Sequence, residues 1–512
     1  MGLKVSVAAL VFLLPLTTSS LAATVPGFRE NVHVPVARTD DERERAAATA
    51  YALRREGAIS KAQTTDDFAG TRKALAGLMA EPRFTASSAS EQRDVVSAAA
   101  WVETRSGHVA EAAEFYRRAV QLDPGDPDDW HRLSMAEDLL GHHDAAADAL
   151  IRILHDWPHL TDALSAGNVL NVVDHLPRES DKRLALMSAL FEANWKREEE
   201  SASELWRELA LTLIEQGRSD EARDVIARIA WPDTLMSMQA DRRFDGTVPS
   251  DPAYVVQSLA ELIERLAVLS RENPRNLYTQ HEWIKALLAA GRHEEVLELT
   301  DDILARIAAE TPEQTAFHDS DDQNFTQLYR SRALWRAGRL DEAEAALKRA
   351  SELPQFGEPN IGQKLSLGNW YNGRMRADEA IDTVSHLPAM AERDDFTRQA
   401  AILMHADLLK GDKRRADHHL STVREGVEGA EEIVTTALLR SGRLDEAAQL
   451  FIHRLEAPSL RSAALLAAQD KRTPPDLPGN AVYRHNWDEM MARADVQAAL
   501  DAVGRVQSYE VW

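Results

Sequence analysis

The sequence contains no cysteine among its 512 residues. This absence excludes disulfide bonds, thiolate catalysis, zinc or iron–sulfur sites with cysteine ligands, and a lipid on an N-terminal cysteine. Common catalytic and nucleotide-binding motifs are also missing: there is no phosphate loop, no Gly-x-Gly-x-x-Gly, no Gly-x-Ser-x-Gly and no His-Glu-x-x-His. We therefore predict a protein that is not an enzyme, has no catalytic residues and holds neither a cofactor nor a metal ion.

Positive charge is also scarce. The chain has 59 lysine and arginine residues against 83 aspartate and glutamate residues, which gives a net charge of −24. Such a chain is a poor ligand for nucleic acid and offers no polybasic patch to a membrane surface. The acidity favours a basic, neutral or cationic-faced partner; the alternative is that it only keeps a long chain in solution.

Long apolar runs are lacking outside the N-terminus. There, Lys4 precedes an apolar run over residues 5–16, and small residues follow. This pattern is typical of a signal peptide cleaved after Ala22, because the run is too short to span a bilayer comfortably. We predict a signal peptide over 1–22, an extended leader over 23–40, no stable membrane span after cleavage, and a periplasmic or secreted protein. The alternative is an uncleaved anchor.

Histidines are numerous, with 17 in the chain. Six of them lie near predicted helix turns: His108, His142, His143, His293, His418 and His419. Two adjacent pairs occur in this set, but neighbouring residues on a helix point about 100° apart and chelate one metal ion poorly. We predict that all six are solvated turn residues rather than ligands.

A period of 34 residues runs through the region from 93 to 158. The matched positions are Gly107 with Gly141, Ala112 with Ala146, Tyr116 with Leu150, Ala119 with Ile153, and Pro124 with Pro158. The glycine supplies the positive φ that often ends a helix, the alanine lets two helix axes approach closely, and the proline stops the second helix. The pattern predicts one helix–turn–helix unit copied in tandem.

One turn sequence recurs further along the chain. Residues 217–222, 338–343 and 442–447 share the pattern Gly-Arg-x-Asp-Glu-Ala. The glycine ends one helix, and the two carboxylates open the next helix at the positive end of its dipole. The pattern is therefore explained by structure, and we predict no metal or substrate binding there. A similar turn is predicted at Gly373.

These units resemble the tetratricopeptide repeat. The second copy shows the resemblance best, with Trp130, Leu133 and Ser134 followed by Ala146 and Leu150 in the family's order and spacing. Ser134 stands where the family usually has glycine, and Glu137 stands where the family usually has tyrosine. The resemblance implies an all-α superhelical solenoid of stacked antiparallel helix pairs, in which each pair buries its apolar face only against its neighbours.

Interruptions of the pattern suggest the remaining boundaries. Repeat units are predicted over 41–158, degenerate and regular helix pairs over 159–230, and further units over 253–458. Between them, residues 231–252 hold prolines and a glycine without periodicity, which predicts a loop that is either a functional insertion or a join between sub-arrays. Residues 459–512 are interpreted as a Pro-rich spacer followed by capping helices.

The predicted function depends on surfaces. The resemblance implies that first helices line a concave groove, and four tryptophans lie on such helices: Trp101, Trp130, Trp206 and Trp335. We expect most of them in the core and one or two in the groove as anchors. The leading hypothesis is a non-enzymatic protein–protein interaction scaffold of a bacterial-type cell envelope, in envelope assembly or polysaccharide export, with unknown binding residues. The alternatives are a carbohydrate-binding accessory protein and an enzyme with its site in residues 231–252.

Overall fold

The computed structural model describes most of the chain. The described residues are 39–64, 66–196, 202–311, 313–355, 358–388, 391–426 and 429–512. The predicted signal peptide and most of the predicted leader lie outside these residues. No helix in this described part is both long and apolar enough to cross a membrane.

The described residues are mostly α-helical. The first helices in the chain are α1 (Asp40–Thr64), α2 (Phe68–Met79), α3 (Pro82–Ala86), α4 (Ala89–Arg105), α5 (Val109–Leu122), α6 (Pro127–Leu139), α7 (His143–Asp156), α8 (Ala166–His175), α9 (Asp181–Glu192), α10 (Ser203–Glu215), α11 (Ser219–Ile226), α12 (Pro232–Ala240) and α13 (Ala253–Glu272). The next are α14 (Leu277–Ala289), α15 (His293–Ala308), α16 (Gln323–Arg336), α17 (Leu340–Glu352), α18 (Ile361–Gly373), α19 (Ala377–Val384), α20 (Arg393–Leu409), α21 (Lys413–Arg424), α22 (Glu431–Arg440), α23 (Leu444–Glu456), α24 (Arg461–Ala467), α25 (Ala481–Met491) and α26 (Ala494–Val503). Strands β1 (Asp470–Lys471) and β2 (Ser508–Tyr509) pair in parallel.

The helices pack as consecutive pairs joined by glycine turns. In the two tandem units, Gly107 and Gly141 have φ values of 78° and 76°. The backbone N–H of His142, just after the turn, donates to the carbonyl of Glu137 over 2.8 Å, which satisfies a carbonyl left open at the helix end. The predicted all-α solenoid of helix pairs is confirmed.

The hydrophobic core has no single centre. Each alanine five residues after a turn glycine, such as Ala112 and Ala146, is fully buried between helices. The largest cluster runs from Ala146 to Ala406, and it also includes Leu477 and Val511 from the C-terminal part of the chain. Helix pairs therefore bury their apolar faces against their neighbours, as stacked repeats require.

The turn predicted over residues 373–380 is present, but Gly373 is not its residue with positive φ. Gly373 is the last residue of α18, and Met375 adopts the positive φ, at 62°. Met375 thus occupies the position that glycine occupies in the other turns, although a side chain is strained there. Gly373 has a different role, because a Cβ atom at this position would lie 2.7 Å from the Cδ1 atom of Leu477.

The loop predicted over residues 231–252 is also wrong in its first half. Residues Pro232–Ala240 form α12, and every residue of this helix except Asp233 is buried. α12 packs against α10, α13 and α24. A helix covered on all sides shows no polar face, so the 3.6-residue period by which amphipathic helices are recognised is missing from its sequence.

The helices from α12 to α26 form an array whose beginning and end contact each other at α12. The backbone N–H of Arg505 donates to the carbonyl of Ala240 over 3.0 Å, and Asp241 forms an antiparallel bridge with Gly504. These residues are separated by about 260 positions in sequence, as the ion pair between Arg505 and Asp245 also shows. The array from α12 to α26 therefore turns back on its own beginning.

Candidate functional site

The C-terminal part of the chain covers one face of the array. Residues 470–480 and 504–512, which we term the C-terminal segments, contact five successive first helices: α12, α14, α16, α18 and α20. We term the side of the first helices that faces these segments the inner face. The residues predicted as a Pro-rich spacer therefore lie along the inner face, where Leu477 and Gly479 are buried and Pro475 and Pro478 are exposed.

Hydrogen bonds hold the C-terminal segments on the inner face. The indole N–H of Trp335 donates to the carbonyl of Pro475 over 3.1 Å. The backbone N–H of Trp512 donates to the carbonyl of Ala289 over 2.9 Å. His405 on α20 makes a 3.0 Å hydrogen bond to the carbonyl of Gly479. Some of the polar groups along the inner face are thus satisfied by the chain itself.

Close backbone approaches also depend on glycine. A Cβ atom on Gly479 would lie 2.0 Å from the carbonyl oxygen of Asn372. A Cβ atom on Gly291 would lie 2.5 Å from Nε1 of Trp512, and one on Gly504 would lie 2.6 Å from the carbonyl oxygen of Ala240. No larger residue fits at these contacts without displacing the C-terminal segments.

The repeat positions on the inner face can be identified by their distance from the turn. Lys285 and His405 each lie six residues before the positive-φ glycine of their pair, and Arg336 lies two residues before its own. The same two positions in the two tandem units hold Trp101 and Arg105 on α4, and Met135 and Leu139 on α6. We therefore place these four side chains on the inner face of α4 and α6.

The inner face of α4 and α6 combines three apolar side chains with Arg105, which pairs with Asp66 over 3.1 Å, and it is partly open. Leu139 is 53% exposed, and Trp101 and Met135 are half-buried. The guanidinium of Arg132 lies over the ring of Trp101, 4.8 Å from its centroid. Within the described residues, the hydrogen bonds from the C-terminal segments to first helices reach helices between α12 and α20. This stretch of the inner face is therefore accessible, unlike the stretch from α12 to α20.

The four tryptophans singled out in the sequence have different environments. Trp206 is buried in the core, and Trp101, Trp130 and Trp335 are half-buried. The indole N–H of Trp130 donates to the carbonyl of Pro124 over 3.0 Å, which gives this residue a structural role. Trp101 alone among the four belongs to the open stretch of the inner face.

A cavity lies further along the inner face. It has a volume of about 440 Å³ and is bordered by α10, α12, α14 and α16 and by the last residue of the sequence, Trp512. Three cationic side chains line it: Lys285, Arg332 and Arg336. The Lys285 ammonium lies 5.2 Å from the centroid of the Trp231 ring, and the Arg336 guanidinium lies 5.0 Å from that of Trp512. No sequence motif predicts this cavity.

The turn histidines differ from the prediction in their partners. His142 is half-exposed, and its Nδ1 atom lies 2.9 Å from the buried carboxylate of Glu137, which also accepts from Arg117. His108 and Glu103 repeat this pair 34 positions earlier. Glu137 occupies the position where the family usually has tyrosine, so a buried ionic cluster replaces an aromatic side chain there.

His293 contradicts the prediction of a solvated turn residue. Its ring packs edge-on against Trp512 at a centroid distance of 4.8 Å, and both ring nitrogens are buried. Burial lowers its pKa, because the charged form loses its hydration. The adjacent pairs behave more simply: His143 stacks on His175, and His419 lies 3.5 Å from Asp407. Among the described residues, no group of three or more acidic or histidine side chains is arranged to hold a metal ion.

Comparison with known families identifies the repeat. A model described as "Tetratricopeptide repeat" matches residues 204–228 and residues 325–349. The first match covers most of α10 and all of α11, and the second covers most of α16 and α17. These two stretches are therefore repeat units of the tetratricopeptide type, and the resemblance found from the sequence is confirmed.

Solved structures give similarities of fold. The chain is similar to a monomeric mutant of IFIT1 with Gppp-AAAA, at 15% identity over 73% of this chain and 79% of that chain, with a TM-score of 0.33. It is similar to yeast Tom70, at 10% identity over 89% and 99% of the two chains, with a TM-score of 0.28. A structure of Naa15/Naa10 bound to HypK-THB matches at 11% identity over 88% and 90%, with a TM-score of 0.26. The comparison with curated proteins gives no match.

Proposed function

We propose that this chain is a non-enzymatic protein–protein interaction scaffold that binds a polypeptide partner on the inner face of α4 and α6. The observation that carries the proposal is the exposure of Leu139 beside Trp101 and Met135, at positions that the C-terminal segments cover further along the array. Exposed apolar side chains grouped on one concave surface are typical of a protein-binding site.

The charge of the chain indicates the kind of segment that would bind. The chain as a whole carries a net charge of −24. A partner segment with an apolar centre and basic flanks would fit this surface, because opposite charges speed the encounter and fix the register. An acidic segment would be repelled.

The proposal places the scaffold in the cell envelope or outside the cell. Its support is the pattern of Lys4 and the apolar run over residues 5–16, which is typical of a signal peptide. A role in envelope assembly or polysaccharide export is part of the same proposal. N-terminal sequencing of the protein from a periplasmic or culture fraction tests the location, and a mature chain that begins at Ala23 is the expected result. A chain that retains Met1 in the cytoplasm would contradict it.

A crosslinking experiment tests the partner site. A photoreactive amino acid is placed at position 135 or 139, and as a control at Val482, which is 56% exposed on α25. The same polypeptide crosslinked at 135 and 139, but not at 482, is the expected result. Replacing Trp101 by alanine should then reduce the yield at position 139 by at least about tenfold, the effect of losing one anchor residue. Equal yields at the three positions would exclude this site.

Carbohydrate binding is the second proposal for the same surface. It is supported by Trp101, whose ring is half-buried and would offer one face to a sugar. Titration of tryptophan fluorescence with envelope polysaccharides distinguishes the two proposals. A response that disappears in Trp101→Ala favours carbohydrate, whereas no response with any glycan removes this candidate.

A further inference from the structure

The cavity between α10, α12, α14 and α16 is large enough for a small molecule. Its volume of about 440 Å³ lies within the range of ordinary ligand sites. Its lining combines two tryptophans with three cations, in a chain that is strongly acidic overall. The lining therefore carries more cationic than acidic side chains.

Two of the three cations lack a carboxylate partner. Lys285 forms a 2.7 Å ion pair with Glu282. Arg336 donates to the carbonyl of Leu288 over 2.6 Å, and neither Arg332 nor Arg336 forms an ion pair within the described part of the chain. Several arginines at other turns are paired, as Arg339 is with Glu342, although Arg440, two residues before Gly442, is also buried without an ion pair among the described residues.

The two carboxylates at the cavity are already engaged by other groups. Glu204 accepts hydrogen bonds from Arg207 at 2.9 Å and from the hydroxyl of Thr234 at 2.7 Å. Asp233 lies 3.5 Å from the ammonium of Lys471, in the first C-terminal segment. The cavity therefore keeps a net positive charge after its internal pairs are counted.

Burial makes this charge unfavourable in the unliganded protein. Loss of hydration, together with repulsion from Arg332, lowers the pKa of Arg336 to about 10, and Asp233 offsets the effect only in part. Arg336 remains protonated at neutral pH, so a largely buried cation stays without a counter-ion. A buried charge is costly unless it is paired, and a bound anion would supply the missing partner.

We propose that the cavity binds a small organic anion, a carboxylate or a phosphate ester, whose charged group contacts Arg332 and Arg336 and whose flat apolar part lies against Trp231 or Trp512. Arginine forms paired hydrogen bonds with either type of oxyanion. The C-terminal segment completes the site, because the backbone of Trp512 is fixed to Ala289 and its ring packs on Gly291. This site is separate from the partner surface on α4 and α6.

Isothermal titration calorimetry on the full chain tests the proposal with three probes. The probes are phenyl phosphate, phenylacetate and, as the uncharged control, phenylacetamide. We expect one-to-one binding of at least one anion and at least tenfold weaker binding of the amide. The preferred anion then shows whether the site selects phosphate or carboxylate. No binding of either anion to the wild-type chain, or equal binding of the amide, would overturn the proposal.

Arginine variants locate the site. Arg332→Gln and Arg336→Gln should each weaken the binding of the anion at least tenfold. Arg271→Gln is the matched control, since Arg271 also donates to a backbone carbonyl but lies exposed on α13. The affinity of this variant for the anion should not change. Arg332 is exposed, so its replacement tests the site even if Arg336→Gln fails to fold. Unchanged affinity in a folded Arg332→Gln would place the anion elsewhere and overturn the assignment.

The role of the C-terminal segment has its own readout. Hydrogen exchange of residues 504–512 should slow when the anion is bound, and Trp512→Ala should weaken binding at least fivefold. Wild-type affinity in Trp512→Ala, with unchanged exchange, would show that the segment is not part of the site.

Discussion

His405 on α20 and Gly479 in the first C-terminal segment are joined by a 3.0 Å hydrogen bond across 74 residues of sequence. A carbonyl oxygen only accepts, so Nε2 of His405 carries the proton and the ring is in a defined tautomer. Nδ1 of the same ring is buried without a partner. The contact therefore holds the C-terminal segment in place, and burial keeps the histidine neutral although the hydrogen bond to Gly479 by itself favours the protonated ring.

Acid should destabilise the fold through two such histidines. Burial lowers the pKa of His405 and of His281 to about 3, with Arg440 and Lys285, respectively, adding to the effect. Above pH 6.5 both rings are neutral whether the chain is folded or unfolded. Below pH 6.5 the two histidines bind protons in the unfolded chain but stay neutral in the folded chain. Each ring therefore lowers the free energy of unfolding by about 1.4 kcal/mol per pH unit.

Urea unfolding followed by circular dichroism at pH 7.5 and 5.5 measures this effect. The free energy of unfolding should fall by about 3 kcal/mol for the two rings together. The fall should be smaller by about 1.4 kcal/mol in His405→Gln, which has one such ring fewer. His155 has a side chain that is 83% exposed, and His155→Gln should retain the full fall. Equal slopes in wild type and His405→Gln would contradict the prediction.

Gly479→Ala should detach the first C-terminal segment. The added Cβ would lie 2.0 Å from the carbonyl oxygen of Asn372, a backbone atom that cannot move aside cheaply. We expect faster hydrogen exchange in residues 470–480. Gly57→Ala is the control, because a Cβ atom on Gly57, within α1, would meet no neighbouring group within 4 Å, and alanine there should stabilise by up to about 1 kcal/mol. Unchanged exchange in Gly479→Ala would show that this segment does not depend on the close contact.

Met375→Gly should stabilise the protein. Met375 has a φ of 62° and is 53% exposed, so replacement removes backbone strain and little buried surface. A left-handed conformation costs a residue with a side chain about 1–2 kcal/mol, and a gain of about 1 kcal/mol in the free energy of unfolding is expected. The reverse change, Gly338→Ala at a φ of 77°, should lose a similar amount. A loss of stability in Met375→Gly would contradict this account of the turn.

Glu137→Gln should cost more than the same change at an exposed ion pair. Burial by itself would raise the pKa of Glu137, but hydrogen bonds from Arg117 and His142 outweigh it and the pKa is lowered. Hydrogen bonds to a buried charge are worth about 2 kcal/mol, so a loss of this size is expected in the free energy of unfolding. This contribution is present above the ordinary glutamate pKa and disappears as the pH falls below it.

Glu221→Gln supplies the comparison. Glu221 pairs with Arg218 over 2.8 Å on the exposed surface of a turn, and its loss should cost clearly less than the loss of Glu137, because solvent screens the pair. Thermal or urea unfolding of both variants at pH 7.5 gives the two values. Similar losses would show that burial of Glu137 adds nothing to the strength of its pairs.

The local elements were largely predictable because their causes are local. The glycine that ends a first helix, the alanine five residues later and the carboxylates that open the next helix act over a few residues. The Gly-Arg-x-Asp-Glu-Ala turns therefore appear where they were expected, with the arginine and glutamate paired, as Arg339 and Glu342 are over 2.7 Å. The positive φ of Met375 was not predicted, since the usual sequence signal for a positive φ is a glycine.

The inner-face residues could have been found in part from the sequence. Arg332 and Arg336 lie six and two residues before Gly338, the same offsets that place Trp101 and Leu139 on the inner face. Nothing in these offsets, however, shows whether a given stretch is open or covered. That difference separates the surface proposed for a partner from the cavity proposed for an anion.

The sequence by itself determined the helix pairs, their turns and the repeated stacking, because hydrogen bonds and apolar periods within about 34 residues specify them. Only the tertiary structure decided that α12 is buried on all sides, and that the C-terminal segments return to cover the inner face from α12 to α20. The contacts of Arg505 with Ala240 and of Trp512 with Ala289 join residues more than 200 positions apart. Such contacts depend on how many successive repeats are arranged relative to one another. No short sequence pattern encodes this arrangement.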